Sequence, residues 1–181
     1  MSSPWLRLPL TDYEGHMSAP NVGQANLLAD VLESVLSELR PATVAVIGCA
    51  GGNGFDRIDP LEVARVVGTQ SNPEFGAVEL VYAALVFEYV DVPSALRNLF
   101  LACRHGGHLV ALLQLPSNAA AAVTHTAFTS IQTLSASLKL VDPVAFEEMA
   151  QKTGFALRRA TRVVSGAGKE FAVQVYQRPP V

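Results

Sequence analysis

Apolar residues recur along the chain at two different periods, and these periods separate the predicted helices from the predicted strands. Over residues 21–39 the apolar positions fall three and four apart, which predicts an amphipathic helix with Asn21 as its cap and Gln24 completing a capping box. Helical spacing returns after Asp91 and after Asp142, and a proline follows each aspartate in the first turn. We therefore expect Asp91 and Asp142 to cap two further helices.

Short apolar or alternating segments predict the strands of a sheet. The runs at residues 43–47 and 109–115 are continuous and apolar, which predicts buried strands. Near the end of the chain, residues 157–164 and 170–177 form two further strand-like segments, and the second of them alternates between apolar and polar positions. A turn containing two glycines joins this last pair.

A glycine-rich loop follows the strand at residues 43–47. Gly48, Gly52 and Gly54 lack a Cβ atom, so the backbone is able to turn sharply and a ligand can approach the main chain closely. In a parallel α/β sheet, such a loop is a common site for nucleotide-like ligands. Its spacing lacks the third glycine of a dinucleotide fingerprint, and no Gly-Lys-Ser/Thr follows, so neither a nicotinamide site nor a phosphate loop is expected.

Composition narrows the class of protein further. The chain has 181 residues, enough for one domain with a real core, and half of them are hydrophobic. No apolar run approaches the ~18–20 residues of a membrane span, and the first residues do not resemble a signal peptide, so a cytoplasmic protein is expected. The net charge of −3 without clustered basic residues argues against nucleic-acid binding. Two cysteines are too few for a disulfide framework, and no metal-ligand spacing is present.

The segment TVAVIGCAGGNG at residues 43–54 resembles motif I of the class I S-adenosylmethionine-dependent methyltransferases, a hydrophobic strand followed by GxGxG. Gly48 and Gly52 match this motif, and Ala50 takes the place of its middle glycine. The family usually has an acidic residue two positions before the first glycine, where this chain has Val46. The chain therefore matches the family's glycine-rich loop but lacks one of its polar side chains.

Two later segments extend the resemblance over nearly the whole chain. Residues 80–89 are similar to the family's fourth strand and the loop that lines the methyl-transfer site. Residues 105–110 resemble its glycine-rich turn into the fifth strand. The resemblance implies an α/β fold, a Rossmann-like sandwich whose mostly parallel sheet ends in a C-terminal antiparallel hairpin.

The resemblance also implies S-adenosylmethionine as the cofactor and a small molecule as the methyl acceptor. No Asn-Pro-Pro-Tyr-type motif follows the fourth strand, so a nucleic-acid base is not the expected acceptor. The catalytic candidates are the titratable residues expected near the methyl group, namely Tyr13, His16, Glu88 and Tyr89. The positions expected to contact the cofactor are Gly48, Cys49, Ala50, Gly52, Asn53, Gln70, Ala84 and Leu85.

The chain is shorter than the family pattern after Gln70, which itself replaces the family's ribose-binding acid. Only residues 71–77 separate Gln70 from the strand that begins at Val78, where the family has a helix, a third strand and an adenine-contacting loop. A parallel crossover usually needs about a dozen residues or more. Four explanations stay open: residues 66–70 are not a parallel strand, the sheet is rearranged, a partner chain supplies the missing element, or the chain is an internally deleted version of a longer enzyme.

We expect one methyltransferase-like domain over residues 1–181, with three parts. Residues 1–20 contain three prolines and are expected to be irregular, either as a solvated lead-in or as a flap over the cofactor mouth. Residues 21–40 are the leading helix and residues 43–181 the sheet core. Within that core, residues 119–138 form either a covering helix or a substrate-specific element.

Two functions from different classes fit these observations. The first is a small-molecule methyltransferase, and the second is a non-catalytic interaction or oligomerisation module that could form a homodimer. A nicotinamide oxidoreductase ranks last, because its glycine spacing and its acidic residue are both missing. If the first is correct, Gly52→Val is expected to abolish cofactor binding while leaving the fold largely intact.

Overall fold

The computed structural model describes residues 4–52, 54–69, 76–117 and 121–181. Its strands are β1 (Thr43–Ile47), β2 (Arg65–Thr69), β3 (Val78–Ala84), β4 (Cys103–Gln114), β5 (Ala156–Val164) and β6 (Glu170–Gln177). Its α-helices are α1 (Leu10–Ser18), α2 (Gln24–Leu39), α3 (Val92–Ala102) and α4 (Pro143–Thr153). Short 3₁₀ helices cover Pro4–Arg7, Phe55–Arg57, Phe87–Tyr89 and Thr129–Ala136.

Within the described residues, the strands form one sheet in the order β2-β1-β3-β4-β6-β5. β1 pairs in parallel with β2 and β3, and β3 pairs in parallel with β4. β6 runs antiparallel to both β4 and β5. The prediction of a mostly parallel α/β sheet with a C-terminal antiparallel hairpin is therefore confirmed, and β2 is the end strand of the described sheet.

β2 and β3 lie on opposite sides of β1, although few residues connect them. β2 is in parallel register with β1 from Arg65 opposite Thr43 to Thr69 opposite Ile47, so the explanation that this segment is not a parallel strand is wrong. Residues 70–77 connect the end of β2 to the start of β3. Their nine Cα steps reach about 30 Å, which exceeds both the ~17 Å length of a five-residue strand and the ~10 Å of two strand spacings. A return without a crossover helix is thus within the reach of the chain.

Successive residues of the central strands alternate between two hydrophobic cores, one on each face of the sheet. In β3, Leu80 and Tyr82 belong to the core that contains the apolar residues of α2, whereas Val81 and Ala83 belong to the core that contains those of α3 and α4. The Tyr82 hydroxyl donates a buried hydrogen bond of 2.8 Å to the carbonyl oxygen of Leu28. This bond fixes α2 to the sheet in addition to the apolar contacts.

The two aspartate caps form as predicted. The Asp91 carboxylate accepts a hydrogen bond of 3.1 Å from the backbone N–H of Ser94 at the start of α3. The Asp142 carboxylate accepts two bonds at the start of α4, from the backbone N–H groups of Val144 at 3.0 Å and Ala145 at 2.9 Å. Local side-chain chemistry therefore sets where α3 and α4 begin.

The predicted cap of α2 is wrong. The helix begins at Gln24, after Gly23 at a left-handed φ of 60°, and no side chain caps it. Asn21 instead donates a hydrogen bond of 3.0 Å to the carbonyl oxygen of His125, more than a hundred residues away in sequence. A tertiary contact thus takes the side chain that a local pattern assigns to the helix.

The expectation of an irregular segment over residues 1–20 is also wrong, because α1 occupies half of it. α1 forms where Met17 is buried in the core on the α2 side of the sheet, with Tyr13 packed against the same core. In residues 121–138, the described part contains the 3₁₀ helix Thr129–Ala136 rather than a continuous covering α-helix. No helix of the described residues is long and apolar enough to cross a membrane.

Replacing Asp142 by alanine is expected to lower the free energy of unfolding by about 1 kcal/mol, because two N–H groups at the start of α4 lose their acceptor. Asp142→Asn keeps an acceptor oxygen and is expected to stay within a few tenths of a kcal/mol of the wild type. Urea denaturation of the three proteins measures the difference. Equal losses in both variants would show that the cap bonds do not contribute.

Candidate functional site

The direction of the strands brings three chain segments together at one edge of the sheet. β1, β3 and β4 are mutually parallel, so the glycine-rich loop after β1, the segment after β3 and Gln114 at the end of β4 all lie at their carboxyl ends. This edge is where ligands bind in open α/β sheets. The candidate residues found in the sequence fall mostly in these segments and in α1.

The loop after β1 has a sharply turned backbone. Its φ values are +72° at Gly48, +49° at Ala50, +98° at Gly52 and +84° at Gly54. Ala50 is the one residue of these four that is not a glycine. The left-handed conformation costs a residue with a Cβ atom about 1–2 kcal/mol. The N–H of Gly52 donates to the carbonyl oxygen of Cys49 at 2.8 Å, which closes the turn. Strained backbone of this kind is often found at functional sites.

The loop is packed tightly on three sides. A Cβ atom at Gly48 would lie 2.7 Å from Cγ2 of Val86, so the loops after β1 and β3 touch each other. A Cβ at Gly68 in β2 would lie 2.8 Å from the sulfur of Cys49. On the third side, a Cβ at Gly51 would overlap the carboxylate of Glu14 in α1. α1 therefore covers the loop directly.

Three of the predicted cofactor positions, Cys49, Asn53 and Gln70, differ from the rest. Asn53 and Gln70 lie outside the described residues. Cys49 directs its sulfur toward β2, and burial raises the pKa of its thiol, which therefore stays protonated at neutral pH.

The expectation that Gly52→Val leaves the fold largely intact is not supported by the backbone. Gly52 has a φ of +98°, and a Cβ there would lie 3.2 Å from the Phe55 ring. A β-branched side chain is poorly tolerated in this conformation. Alanine is the smaller probe of the same position.

A small cavity lies beside this loop, with a volume of about 40 Å³. It is lined by the first 3₁₀ helix, α1, the start of α2, the segment after β3, the end of β4, residues 121–138 and the turn before β6. All four catalytic candidates line it, and so does Leu85 from the cofactor set. The remaining described cofactor candidates, Gly48, Cys49, Ala50, Gly52 and Ala84, are not among its lining residues. The site thus has two parts, a glycine-rich loop and a neighbouring cavity.

Glu88 is the most unusual of the four catalytic candidates. Only 2% of the residue is exposed. Its Oε1 accepts a hydrogen bond of 2.8 Å from the backbone N–H of Gln114, whereas Oε2 is buried and has no hydrogen-bond partner among the described residues. Burial raises the pKa of Glu88 to about 7, and the bond from Gln114 opposes this shift. The carboxyl group is therefore poised to exchange a proton near neutral pH.

The other three candidates surround the same space but differ in their chemistry. His16 Nδ1 lies 3.0 Å from Oγ1 of Thr126, and burial, followed by the charge of Lys169, lowers the pKa of its imidazole. Burial raises the pKa of Tyr13 to about 12 and also raises that of Tyr89, with a further contribution from Glu88. At neutral pH, His16 is therefore an uncharged imidazole and the tyrosines are protonated phenols.

Trp5, Lys169 and Gln114 are among the cavity residues that the sequence analysis missed. Trp5 contacts Tyr13 and Tyr89 edge-on, with ring centroids 5.6 Å and 5.0 Å away. The Lys169 ammonium and the Gln114 amide both donate to the carbonyl oxygen of Ala122, at 2.8 Å and 2.9 Å. A polar residue ending an apolar strand was a usable signal for Gln114. No comparable signal marked Trp5 or Lys169, because their position depends on tertiary contacts.

Metal binding has no support in the described part of the chain. No group of three or more His, Cys, Asp or Glu side chains is arranged there to hold an ion.

The stability of the wild type is expected to fall by about 3 kcal/mol between pH 4.5 and 7 relative to Glu88→Gln. The pKa of Glu88 is raised from 4.5 to about 7, so in this range the folded state holds a proton that the unfolded state releases. His16 and Lys169 have lowered pKa values and contribute in the opposite sense, but they are common to both proteins. Urea denaturation at half-unit pH steps measures the difference, and parallel pH profiles would contradict it.

Comparison with solved structures identifies the fold. The N-methyltransferase NodS from Bradyrhizobium japonicum WM9, solved with S-adenosyl-L-homocysteine, matches with a TM-score of 0.65 and 13% identity over 98% of this chain and 100% of its own. An O-methyltransferase family protein from Burkholderia thailandensis matches with a TM-score of 0.59 and 14% identity over 88% of this chain, which spans 58% of that protein.

Magnesium protoporphyrin IX methyltransferase (ChlM) from Synechocystis PCC 6803, also with bound S-adenosyl-L-homocysteine, matches with a TM-score of 0.56 and 10% identity over 86% of this chain and 85% of its own. No protein-family profile matches the sequence, and neither does any curated protein. The likeness therefore lies in the backbone: this chain has the Rossmann-like fold of the class I S-adenosylmethionine-dependent methyltransferases.

Proposed function

We propose that this protein is an S-adenosylmethionine-dependent methyltransferase that acts on a small-molecule acceptor. The observation that carries the proposal is the buried carboxyl group of Glu88, which lines a cavity beside the glycine-rich loop and has one oxygen without a partner among the described residues. The fold supports the proposal, since methyltransferases are among its structural neighbours. Fold alone does not determine function, so the site has to carry the argument.

The residues at the edge of the sheet suit S-adenosylmethionine. The loop after β1 presents backbone at left-handed φ values over Gly48, Ala50 and Gly52, which allows close approach of a ligand to the main chain. We propose that the cofactor is held by Gly48, Cys49, Ala50, Gly52, Asn53, Gln70, Ala84 and Leu85.

The bound cofactor supplies an electrophilic methyl group, and methyl transfer mainly demands alignment and exclusion of water. The chain's own contribution is to hold the acceptor and to take its proton. Glu88 is the proposed general base, because a pKa of about 7 lets it accept a proton at neutral pH. The N–H of Gln114 holds the carboxylate in one orientation.

Tyr13, Tyr89 and His16 are proposed to position the acceptor rather than to remove its proton. The raised pKa values of both phenols keep them protonated, so they act as hydrogen-bond donors. The low pKa of His16 keeps it neutral at pH 7. The cavity of about 40 Å³ holds on the order of three water molecules. A larger acceptor therefore requires the cavity to widen.

Calorimetric titration tests cofactor binding directly. The wild type is expected to bind S-adenosylmethionine and its demethylated product in the micromolar range. Gly52→Ala is expected to bind both about tenfold more weakly, a loss of ~1.4 kcal/mol, because its Cβ atom, 3.2 Å from the Phe55 ring, displaces the loop backbone on which the ligand is proposed to rest. Gly166→Ala is the matched control, because a Cβ atom at Gly166, in the β5–β6 turn, would meet no other atom within 4 Å.

Two outcomes would count against the proposal. Absence of heat from the wild type at high ligand concentration would overturn cofactor binding and favour a non-catalytic module. Unchanged affinity in a folded Gly52→Ala protein would show that the loop after β1 is not the binding site.

A further inference from the structure

We infer that the acceptor is a small acid bearing a hydroxyl or amino group, with its carboxylate paired to Lys169 and its O–H or N–H group donating to Glu88. The inference rests on the proposed function, since it names the substrate class of that same site. It begins from two buried charged groups that line one cavity.

Lys169 is a buried cation with few partners. It lies in the turn between β5 and β6, and only 3% of the residue is exposed. Its backbone is fixed by reciprocal bonds with Ser165, because the Lys169 N–H donates to the Ser165 hydroxyl at 3.1 Å and the Ser165 N–H donates to the Lys169 carbonyl at 2.8 Å. The turn therefore holds the start of the lysine side chain in place.

Within the described part of the chain, the ammonium group is incompletely satisfied. It has three N–H donors, and among the described residues it donates one hydrogen bond, to the carbonyl oxygen of Ala122. No carboxylate of the described chain forms an ion pair with Lys169. A buried ammonium without a counter-ion is costly, so an anion in the cavity would complete its surroundings.

Among the described residues, Glu88 lacks a hydrogen-bond donor for one carboxylate oxygen, just as Lys169 lacks acceptors for the rest of its N–H groups. Its Oε1 is satisfied by the N–H of Gln114, but Oε2 lacks a donor among the described residues. Although Lys169 and Glu88 line the same cavity, they form no ion pair with each other. A ligand between them must therefore offer an anion at one end and an O–H or N–H donor at the other.

The other residues that line the cavity indicate that Lys169 is its source of positive charge. His16 is the other basic side chain of the cavity, and burial keeps its imidazole neutral at pH 7, so Lys169 supplies the positive charge. The pKa of Lys169 is lowered to about 8, which leaves the ammonium largely protonated at pH 7. The rest of the lining is mostly apolar or aromatic and suits the uncharged part of a small acid: Trp5, Tyr13, Met17, Leu85, Tyr89, Val123, Ile131, Leu134 and Leu138.

The cavity contains its own reporter. Trp5 is the chain's one tryptophan, and it lines the cavity in edge contact with Tyr13 and Tyr89. A ligand that enters the cavity changes the surroundings of this ring. Trp5 fluorescence therefore measures occupancy without cofactor and without turnover.

The experiment titrates the full chain with lactate and glycolate, each compared with its amide, which has nearly the same shape but no charge. At least one acid is expected to change Trp5 fluorescence in a saturable way and to bind about tenfold more tightly than its amide. Lys169→Met is expected to bind the acid and amide equally, whereas Lys169→Arg keeps a preference for the acid. Lys152→Met, which removes an exposed lysine of α4, is the matched control and is expected to behave as the wild type.

Glu88→Gln tests the other end of the ligand. It is expected to weaken binding of the acid several-fold, while the preference for acid over amide remains. If no acid changes the fluorescence, if acid and amide bind equally to the wild type, or if Lys169→Met keeps the preference, the inference is overturned. Circular dichroism of each variant confirms that a lost preference is not a lost fold.

Failure of the inference can be separated from failure of the proposed function. Calorimetric binding of S-adenosylmethionine without any preference for acids would overturn the substrate class and leave the methyltransferase proposal standing. A preference for acids that depends on Lys169, in a protein that binds no S-adenosylmethionine, would establish an acid-binding cavity and overturn the methyltransferase proposal.

Discussion

The site depends on the common direction of β1, β3 and β4. Because these strands are parallel neighbours or next neighbours in the sheet, their carboxyl ends meet at one edge. In the described sheet β3 lies directly beside β1, although few residues separate it from β2 in the sequence. The edge that carries Glu88 and the glycine-rich loop therefore lies at the central strands, whereas β2 is at the outer end of the described sheet.

Desolvation dominates the electrostatics of the cavity. It raises the pKa of Glu88 and lowers those of His16 and Lys169, so each ionisable group is shifted toward neutrality. Hydrogen bonds from Gln114 and to Ala122 offset only part of that cost. A chain selected for stability alone would have apolar residues at these positions. Two buried ionisable groups, Glu88 and Lys169, in a mostly apolar and aromatic lining distinguish the cavity from an ordinary core.

The sequence predicted correctly those features that depend on interactions between residues close together in the chain. The aspartate caps at Asp91 and Asp142, the strand periods and the sharp turn after β1 depend on neighbouring residues, and the structure contains all of them. The errors arise where distant residues intervene: Asn21 bonds to His125 rather than to α2, and α1 forms where Met17 reaches the core. Of the site, the four catalytic candidates do share a cavity, but the contact of Lys169 with Ala122 spans 47 residues and no local pattern predicts it.

Because β2 lies at the end of the sheet, the two parts of the site, the glycine-rich loop and the cavity, differ in their local stability. β2 pairs with one neighbour among the described residues, whereas β3 and β4 are each enclosed by two strands and by both cores. Amide hydrogens in β2 should therefore exchange with solvent through small local openings, and those in β3 and β4 only through global unfolding. The glycine-rich loop leads into β2, which opens readily, whereas Glu88 follows β3, which does not. A ligand that contacts both the loop and Glu88 would therefore slow amide hydrogen exchange most in β2.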